Sequence, residues 1–229
     1  MQIVVTDLTR MAAPHICVAG IEIETKEHIR PVFRRGRLTT SDLRVNGGVF
    51  ALGALVDLGA VIDVGRPPEL EDRQFEQAAF GGVVTREVFW ALLDEVARST
   101  LHDVFGADLV SNPPGRTIPL GSGTASLGCL LPRDTPRLYI SPDGRIRMWL
   151  HDGEQDINLS VTDLRLYEDD LRTPAAERVA EVARRLRRGV GVRLSVGVGR
   201  PYPPADPRHW LQINNVHLAD SPIELIASP

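Results

Sequence analysis

The sequence predicts a mainly β fold, a β-rich α+β architecture of two small barrels that each carry one accessory helix. Short apolar segments separated by turn residues dominate the chain, and 20 glycines and 17 prolines supply the turns. Only 85–99 and 173–189 show the 3.6-residue apolar period of an amphipathic helix. At 229 residues, the chain is long enough for two domains of about 100 residues each.

The first half, 1–110, is predicted to form an N-terminal barrel plus a helix. Its candidate strands are 3–5, 16–23, 29–32, 49–52 and 55–64. The last strand is long and contains Gly59, and an interior glycine in a long strand indicates the bend that a barrel requires. Thr85 stands at the N-cap position of the helix that follows. The apolar stripe of this helix consists of Val88, Phe89, Leu92, Leu93 and Val96.

Residues 111–136 are predicted to form a connector. Seven glycine, proline and asparagine residues interrupt 110–126, which is too many for a regular element. Within the connector, 125–131 is apolar and is a candidate closing strand for the first barrel.

The C-terminal half, 137–229, is predicted to form the second barrel. Its candidate strands are 137–141, 145–150, 157–166, 190–200 and 209–218. A helix lies between the third and fourth strands, with Thr173 as the predicted N-cap, Pro174 in the first turn and Gly189 after the end. The order β-β-β-α-β-β is that of an oligonucleotide/oligosaccharide-binding (OB) barrel, although other small barrels share it.

Composition limits the function. The net charge of −4 gives no overall attraction to phosphate, so nucleic-acid binding requires a local basic patch. Cys17 and Cys129 have no partner at metal-binding or redox spacing and are predicted to be buried free thiols. We expect no metal, no cofactor and no membrane partner. With neither a leader pattern nor an apolar run of about 18 residues, a cytoplasmic location is expected.

The sequence contains no phosphate-binding glycine loop and none of the marked hydrolase or deaminase motifs. No catalytic residue is therefore predicted. An enzyme acting on nucleic acid or nucleotides, with Asp7 or Asp163 and His15 as its chemical groups, remains an alternative. A structural adaptor for a protein partner is a second alternative.

The most informative segment is the hairpin 194–218. Its first strand turns apolar residues inward and leaves Gly197 and Gly199 on the other face, while the return strand places Trp210 and two amides on one side. A flat glycine surface beside an aromatic suits a planar ligand, although a tryptophan that only covers a gap fits the pattern too. The predicted ligand-binding residues are Arg30, Arg193, Arg200, Trp210, Gln212 and Asn214. The acidic stretches 69–72 and 168–170 are expected to solvate loops.

Five segments resemble, in order, the dual OB-containing domain family of bacterial proteins. They are CVAGIEIE (17–24), HIRPV (28–32), VTDLRLYE (161–168), LSVGVGRPY (194–202) and HWLQINNVHL (209–218). The resemblance implies two OB-like barrels in one unit that recognise nucleic acid or a nucleotide, in some members in bacterial conflict or defence, and we expect single-stranded nucleic acid or a nucleotide as the partner of this chain. The first hypothesis is therefore a binding module, in which a face containing Trp210 stacks a base while arginines hold phosphate.

Overall fold

The computed structural model describes residues 1–113, 115–152 and 155–224, so the end of the predicted range 137–229 lies outside it. The predicted mainly β fold is confirmed, because two large sheets account for most of the regular structure. None of the helices within the described ranges has both the length and the apolar character needed to cross a membrane.

The first half contains seven strands and one long helix. They are β1 (Gln2–Arg10), β2 (Ile16–Glu22), β3 (His28–Phe33), β4 (Ala54–Asp57), β5 (Ile62–Asp63), β6 (Asp72–Phe75), β7 (Ala79–Val83) and α1 (Arg86–Val96). The middle of the chain adds β8 (Ala97–Arg98), α2 (Leu101–Phe105), β9 (Val110–Asn112), β10 (Gly115–Pro119) and β11 (Leu127–Leu130). The last part has β12 (Arg137–Ile140), β13 (Ile146–His151), β14 (Asp156–Val161), α3 (Ala176–Arg187), β15 (Val192–Val198) and β16 (Arg208–Leu218).

The strands of the first half close into a ring. β1, β2 and β3 form an antiparallel meander, β3 pairs in parallel with β6, and β6 pairs with β5. β4 pairs with β1 at the other side. β4 and β5 are the two ends of the segment predicted as the strand 55–64, which is interrupted near Gly59, where φ is +62°. Counted as one bent strand, they close the barrel in OB strand order.

The helix α1 begins as predicted, because the Thr85 hydroxyl accepts a hydrogen bond from the backbone N–H of Val88. It follows β7 and packs outside the barrel, with Phe89 and Leu93 in a cluster that includes Val4 and Cys129. Between the third and fourth strands of the first barrel, where an OB barrel carries its helix, the chain has two short 3₁₀ turns within 40–46.

The second barrel has the strand order β12-β13-β14-β16-β15. All its pairs are antiparallel except β14 with β16, which run in parallel with Ser160 opposite Gln212. This parallel contact distinguishes OB order from a plain meander. The helix α3 lies between the third and fourth strands, as predicted, but begins at Ala176. The Thr173 hydroxyl instead donates to Asp170 in the preceding loop.

The segment 110–126 differs from the expectation, because β9 and β10 form there despite the breakers. β10 pairs with β16, which supplies the backbone partners that the local sequence does not. The candidate closing strand 125–131 does contain a strand, β11, but β11 pairs with β15 of the second sheet. Leu130 faces the core of the second barrel and Cys129 faces α1, so both faces of β11 are buried outside the first barrel.

The two barrels meet where β1 lies against β16. The Leu8 N–H donates to Oδ1 of the fully buried Asn215 at 2.9 Å, and the Arg10 N–H donates to the Thr162 carbonyl at 2.9 Å. The seam is therefore built from specific polar contacts, and it forms one side of the site described next.

Candidate functional site

A cleft of about 640 Å³ lies between the two barrels. The outer face of β1, β2 and β3 forms its floor, with Asp7, Cys17 and Arg30. An irregularity in the pairing of β1 between Val5 and Asp7 shifts the alternation of the strand and turns Asp7 outward. The second barrel contributes Gly199, Arg200, Gln212 and Asn214 to the wall. Four of the six predicted site residues thus line one cleft.

Arg30 and Arg200 share one carboxylate. Arg30 lies opposite Asp72 across the β3–β6 pairing, and its Nε donates to Asp72 Oδ1 at 2.5 Å. Arg200 donates from Nη2 to Asp72 Oδ2 at 3.0 Å and lies 2.9 Å from Glu69 through Nη1. The side chain of Arg30 is 7% exposed, whereas that of Arg200 is 52% exposed. Of the two guanidinium groups, only that of Arg200 is exposed, with both Nη atoms engaged by carboxylates, whereas that of Arg30 is buried in its ion pair.

The acidic stretch 69–72 was expected to solvate a loop, but the structure places it between the barrels. Besides the ion pairs of Glu69 and Asp72, the Glu71 carboxylate accepts from the backbone N–H and the hydroxyl of Ser126, each at 2.7 Å. Arg30 reaches the same hydroxyl through Nη2 at 2.8 Å. These contacts fix the start of β11 against the first barrel and hold both arginines in a single orientation.

Asp7 lies at the bottom of the cleft and is 4% exposed. Burial raises the pKa of its carboxyl to about 6, although hydrogen bonds from Thr6, Asn214 and Ser195 act in the opposite direction. The Thr6 hydroxyl donates to Asp7 Oδ2 at 2.7 Å, and Gln212 Nε2 donates to Asn214 Oδ1 at 3.1 Å. A carboxyl and two amides therefore form a polar row able to donate and to accept hydrogen bonds.

A buried hydroxyl–imidazole pair, absent from the predicted site, supports Asp7 from behind. Ser195 Oγ lies 3.1 Å from His217 Nε2, and His217 Nδ1 lies 3.1 Å from the Pro222 carbonyl. Since a carbonyl only accepts, Nδ1 of the neutral ring carries the proton. Burial lowers the pKa of His217 to about 4, so the ring is neutral near pH 7. The sequence analysis missed this pair, although a serine and a histidine within otherwise apolar strands could have indicated it.

Arg193 lies away from the cleft, contrary to the expectation that it shares a face with Arg200. Its Nη2 lies 2.5 Å from Asp94 Oδ1, and its guanidinium carbon lies 4.8 Å from the centroid of the Trp90 ring. Asp94 and Trp90 belong to α1, so Arg193 fastens that helix to β15. The alternation of side chains along β15 correctly predicted that Arg193 points away from the barrel core. It could not show that α1 covers this end of the strand.

Trp210 also lies outside the cleft. Its Nε1 donates to the Tyr202 carbonyl at 2.7 Å, and its ring covers Gly115, where an added Cβ would lie 3.6 Å from the ring. The expected bare glycine face is largely filled, because a Cβ on Gly197 would lie 2.6 Å from Asn214 Nδ2. Gly199 alone of the two glycines borders the cleft. Trp210 as a stacking platform therefore stays a prediction from sequence.

No protein-family model and no curated protein matches the chain. Among solved structures, the chain is similar to the Ifi202 HINa domain in complex with 20-bp dsDNA. The similarity covers 95% of this chain and 93% of that chain, with a TM-score of 0.35 and 10% sequence identity. A likeness of this size carries no argument, and the assignment of the barrels rests on their strand order.

The alternative that pairs Asp7 with His15 gains no geometric support. His15 lies on the loop after β1 and bridges to Thr39, and it is not among the residues that line the cleft. Within the described ranges, no hydrogen bond joins Asp7 to His15. Cys17 and Cys129 are free thiols, as predicted; Cys129 is buried, whereas Cys17 is only partly buried and borders the cleft.

Proposed function

We propose that the protein binds a nucleotide, free or within single-stranded nucleic acid, in the cleft between its two barrels. The observation that carries this proposal is the convergence of the half-exposed Arg200 with Asp7, Gln212 and Asn214. A guanidinium is suited to bind phosphate, and amides and carboxyls are suited to read the edge of a base.

The position of the cleft supports the same function. Its floor is the outer face of β2 and β3, which are the second and third strands of the first barrel. OB barrels bind oligonucleotides on the face of their second and third strands and with the loop between the fourth and fifth strands. In the second barrel, that loop is the one that carries Arg200. The two barrels would thus use their respective OB binding elements on one ligand.

The lining has the mixed character that a nucleotide requires. Phe33 is partly exposed and provides apolar surface for a base, while Leu38 and Val198 are buried in the lining and Arg37 is exposed. Arg37 thus adds a positive charge at the rim, while Arg200 is already paired with Glu69 and Asp72. The resemblance to the dual OB-containing domain family supports the same proposal, including a role in bacterial conflict or defence.

Calorimetric titration with the four nucleoside monophosphates and with a short single-stranded DNA tests the proposal. Gln212→Ala removes one amide without opening the Arg200 ion pairs, and we expect it to weaken binding up to about tenfold, the value of one hydrogen bond. Gln77→Ala, at an exposed position outside the cleft, is the matched control. Absence of binding to every probe, or equal affinities for the parent and Gln212→Ala, would contradict the proposal.

A further inference from the structure

A second polar and aromatic surface lies on the outer side of β12, β13 and β14. Cross-strand pairing arranges it in two rows, Arg137 opposite Trp149 opposite Asn158, and Tyr139 opposite Arg147 opposite Ser160. We call these six residues the aromatic face. Its residues do not line the cleft between the barrels.

The alternation of the strands explains why two large aromatic rings are exposed there. Leu138, Met148 and Leu159 point into the core of the second barrel, so the residues between them must point to solvent. Tyr139 is 37% exposed and Trp149 is 38% exposed. Asn158 Nδ2 donates to the Tyr139 hydroxyl at 2.8 Å, which restrains one of the two rings.

The arginines around these rings are available to an anion. Arg137 and Arg147 belong to the aromatic face, and Arg187, from the last turn of α3, lines a groove of about 470 Å³ with Arg137, Tyr139 and Trp149. Among the described residues, none of these three arginines forms an ion pair with a carboxylate. Arg147 donates instead to the Ser160 hydroxyl at 2.8 Å. By contrast, Arg30, Arg193 and Arg200 are all held by carboxylates.

We propose that the aromatic face binds single-stranded nucleic acid, with bases stacked on Tyr139 and Trp149 and phosphates held by Arg137, Arg147 and Arg187. Base stacking on aromatic rings beside a positive groove is how proteins hold single strands with little sequence preference. The unpaired arginines favour a polyanion over an uncharged protein partner, whose apolar surface would leave three guanidinium groups buried without counter-charges.

The aromatic face is continuous with the cleft, because Ser160 of its second row lies opposite Gln212 of the cleft wall. Three interstrand spacings separate β12 from β16, about 14 Å along the sheet. One strand could therefore engage both surfaces. The inference rests on the proposed function for the end of the strand held in the cleft, and it extends that function from a nucleotide to an oligonucleotide.

Fluorescence anisotropy with labelled single-stranded oligothymidine and oligouridine of about 12 nucleotides tests the proposal, with thymidine monophosphate titrated by calorimetry in parallel. We expect Trp149→Ala to weaken oligonucleotide binding by about 5- to 150-fold, the range for loss of one stacked base. Trp149→Phe should retain most of the affinity. Thymidine monophosphate should bind the parent and Trp149→Ala equally.

Further variants provide a substitute and a control for the oligonucleotide-binding test. Tyr139→Ala replaces Trp149→Ala if the latter does not fold, and Arg137→Ala is compared with Arg66→Ala, an exposed arginine of the first barrel. Loss of oligonucleotide binding in Gln212→Ala alone would support the cleft and overturn the inference. Loss in the aromatic variants alone would support the inference and overturn the cleft. If Trp149→Ala and Tyr139→Ala both bind the oligonucleotide as tightly as the parent does, the inference is overturned, and a protein partner becomes the better occupant of the aromatic face.

Discussion

At the scale of single residues, Asp7 is the group of the cleft whose charge changes closest to neutral pH. Burial raises its pKa from an ordinary value of 3.8 to about 6, while Thr6 and Asn214 hydrogen-bond to the carboxyl. The cleft therefore offers a carboxylic acid below pH 6 and a carboxylate above it. The first form can donate a hydrogen bond to a ligand, and the second can only accept.

The pKa of Asp7 predicts a pH dependence of stability. Between pH 4 and pH 6 the folded state holds a proton that the unfolded state has released, so the free energy of unfolding falls as pH rises through this window. Above pH 6 the ionised carboxylate costs a constant amount, on the order of 3 kcal/mol. Asp7→Asn lacks this cost. We expect its stability relative to the parent to rise from pH 4 to pH 7 in urea unfolding.

His217 acts in the same window with the opposite sign. Because burial lowers its pKa to about 4, the unfolded state takes up a proton first as pH falls below 6.5, and stability decreases toward acid. The difference between the parent and Asp7→Asn removes this common contribution. Asp134→Asn, at an exposed position, serves as the control. Parallel pH profiles for the parent and Asp7→Asn would contradict the predicted role of Asp7.

At the scale of elements, the stretch 69–72, which ends at the first residue of β6, connects three separate elements through its carboxylates. It contacts β3 through Arg30, the loop after β15 through Arg200, and the start of β11 through Ser126. These partners come from three distant parts of the chain. The orientation of Arg200 in the cleft therefore depends on the position of β6.

We predict that the Arg30–Asp72 pair stabilises the fold far more than a surface pair would. Asp72→Ala leaves a buried guanidinium without its carboxylate, and we expect a loss of about 3 to 5 kcal/mol in the free energy of unfolding. Arg30→Met combined with Asp72→Leu removes both charges and should cost less than the sum of the single variants Arg30→Met and Asp72→Leu. Urea unfolding of the double-mutant cycle measures this, and additive losses would show that the pair is not coupled.

Elements with complete local signals were predictable from sequence. The cap at Thr85, the apolar stripe of α1 apart from the exposed Val88, and the glycine at 189 after α3 act within one or two turns of helix. β9 and β10 were missed because β10 is stabilised by pairing with β16, about 90 residues away along the chain, and β9 pairs with β10. The sequence could not show that Arg30 and Arg200 pair with Asp72, or Arg193 with Asp94, because these carboxylates come from other elements. Charge alone therefore could not separate positioning residues from candidate ligand-binding ones.

At the scale of the whole molecule, a polar seam joins the two barrels, and β11 of the second sheet is also fixed to the first half. β11 precedes the second barrel in sequence, pairs with β15, and is fixed by Glu71 of the first half. Buried Asn215 and Asp163 accept hydrogen bonds at the same seam, from the N–H groups of Leu8 and Val216. Neither half has a complete set of hydrogen bonds without the other.

We therefore predict that the halves unfold together. Far-UV circular dichroism and tryptophan fluorescence should give coincident urea transitions, since all three tryptophans lie outside the strands of the first barrel while circular dichroism reports both barrels. Hydrogen exchange of β1 and β2 should match that of β15 and β16. Separate transitions for the two probes would show that the seam does not couple the barrels.

Arg200 already has two counterions of its own, Glu69 and Asp72. A phosphate that binds there would take the place of protein carboxylates, whereas a phosphate on Arg137, Arg147 or Arg187 would displace ions from solution. The slope of log affinity against log salt concentration depends on how many ions binding releases into solution. Contacts at the cleft would therefore add little to this slope. Because phosphate would replace protein carboxylates there, the cleft would still bind a nucleotide at ionic strengths at which single-stranded nucleic acid dissociates from the aromatic face.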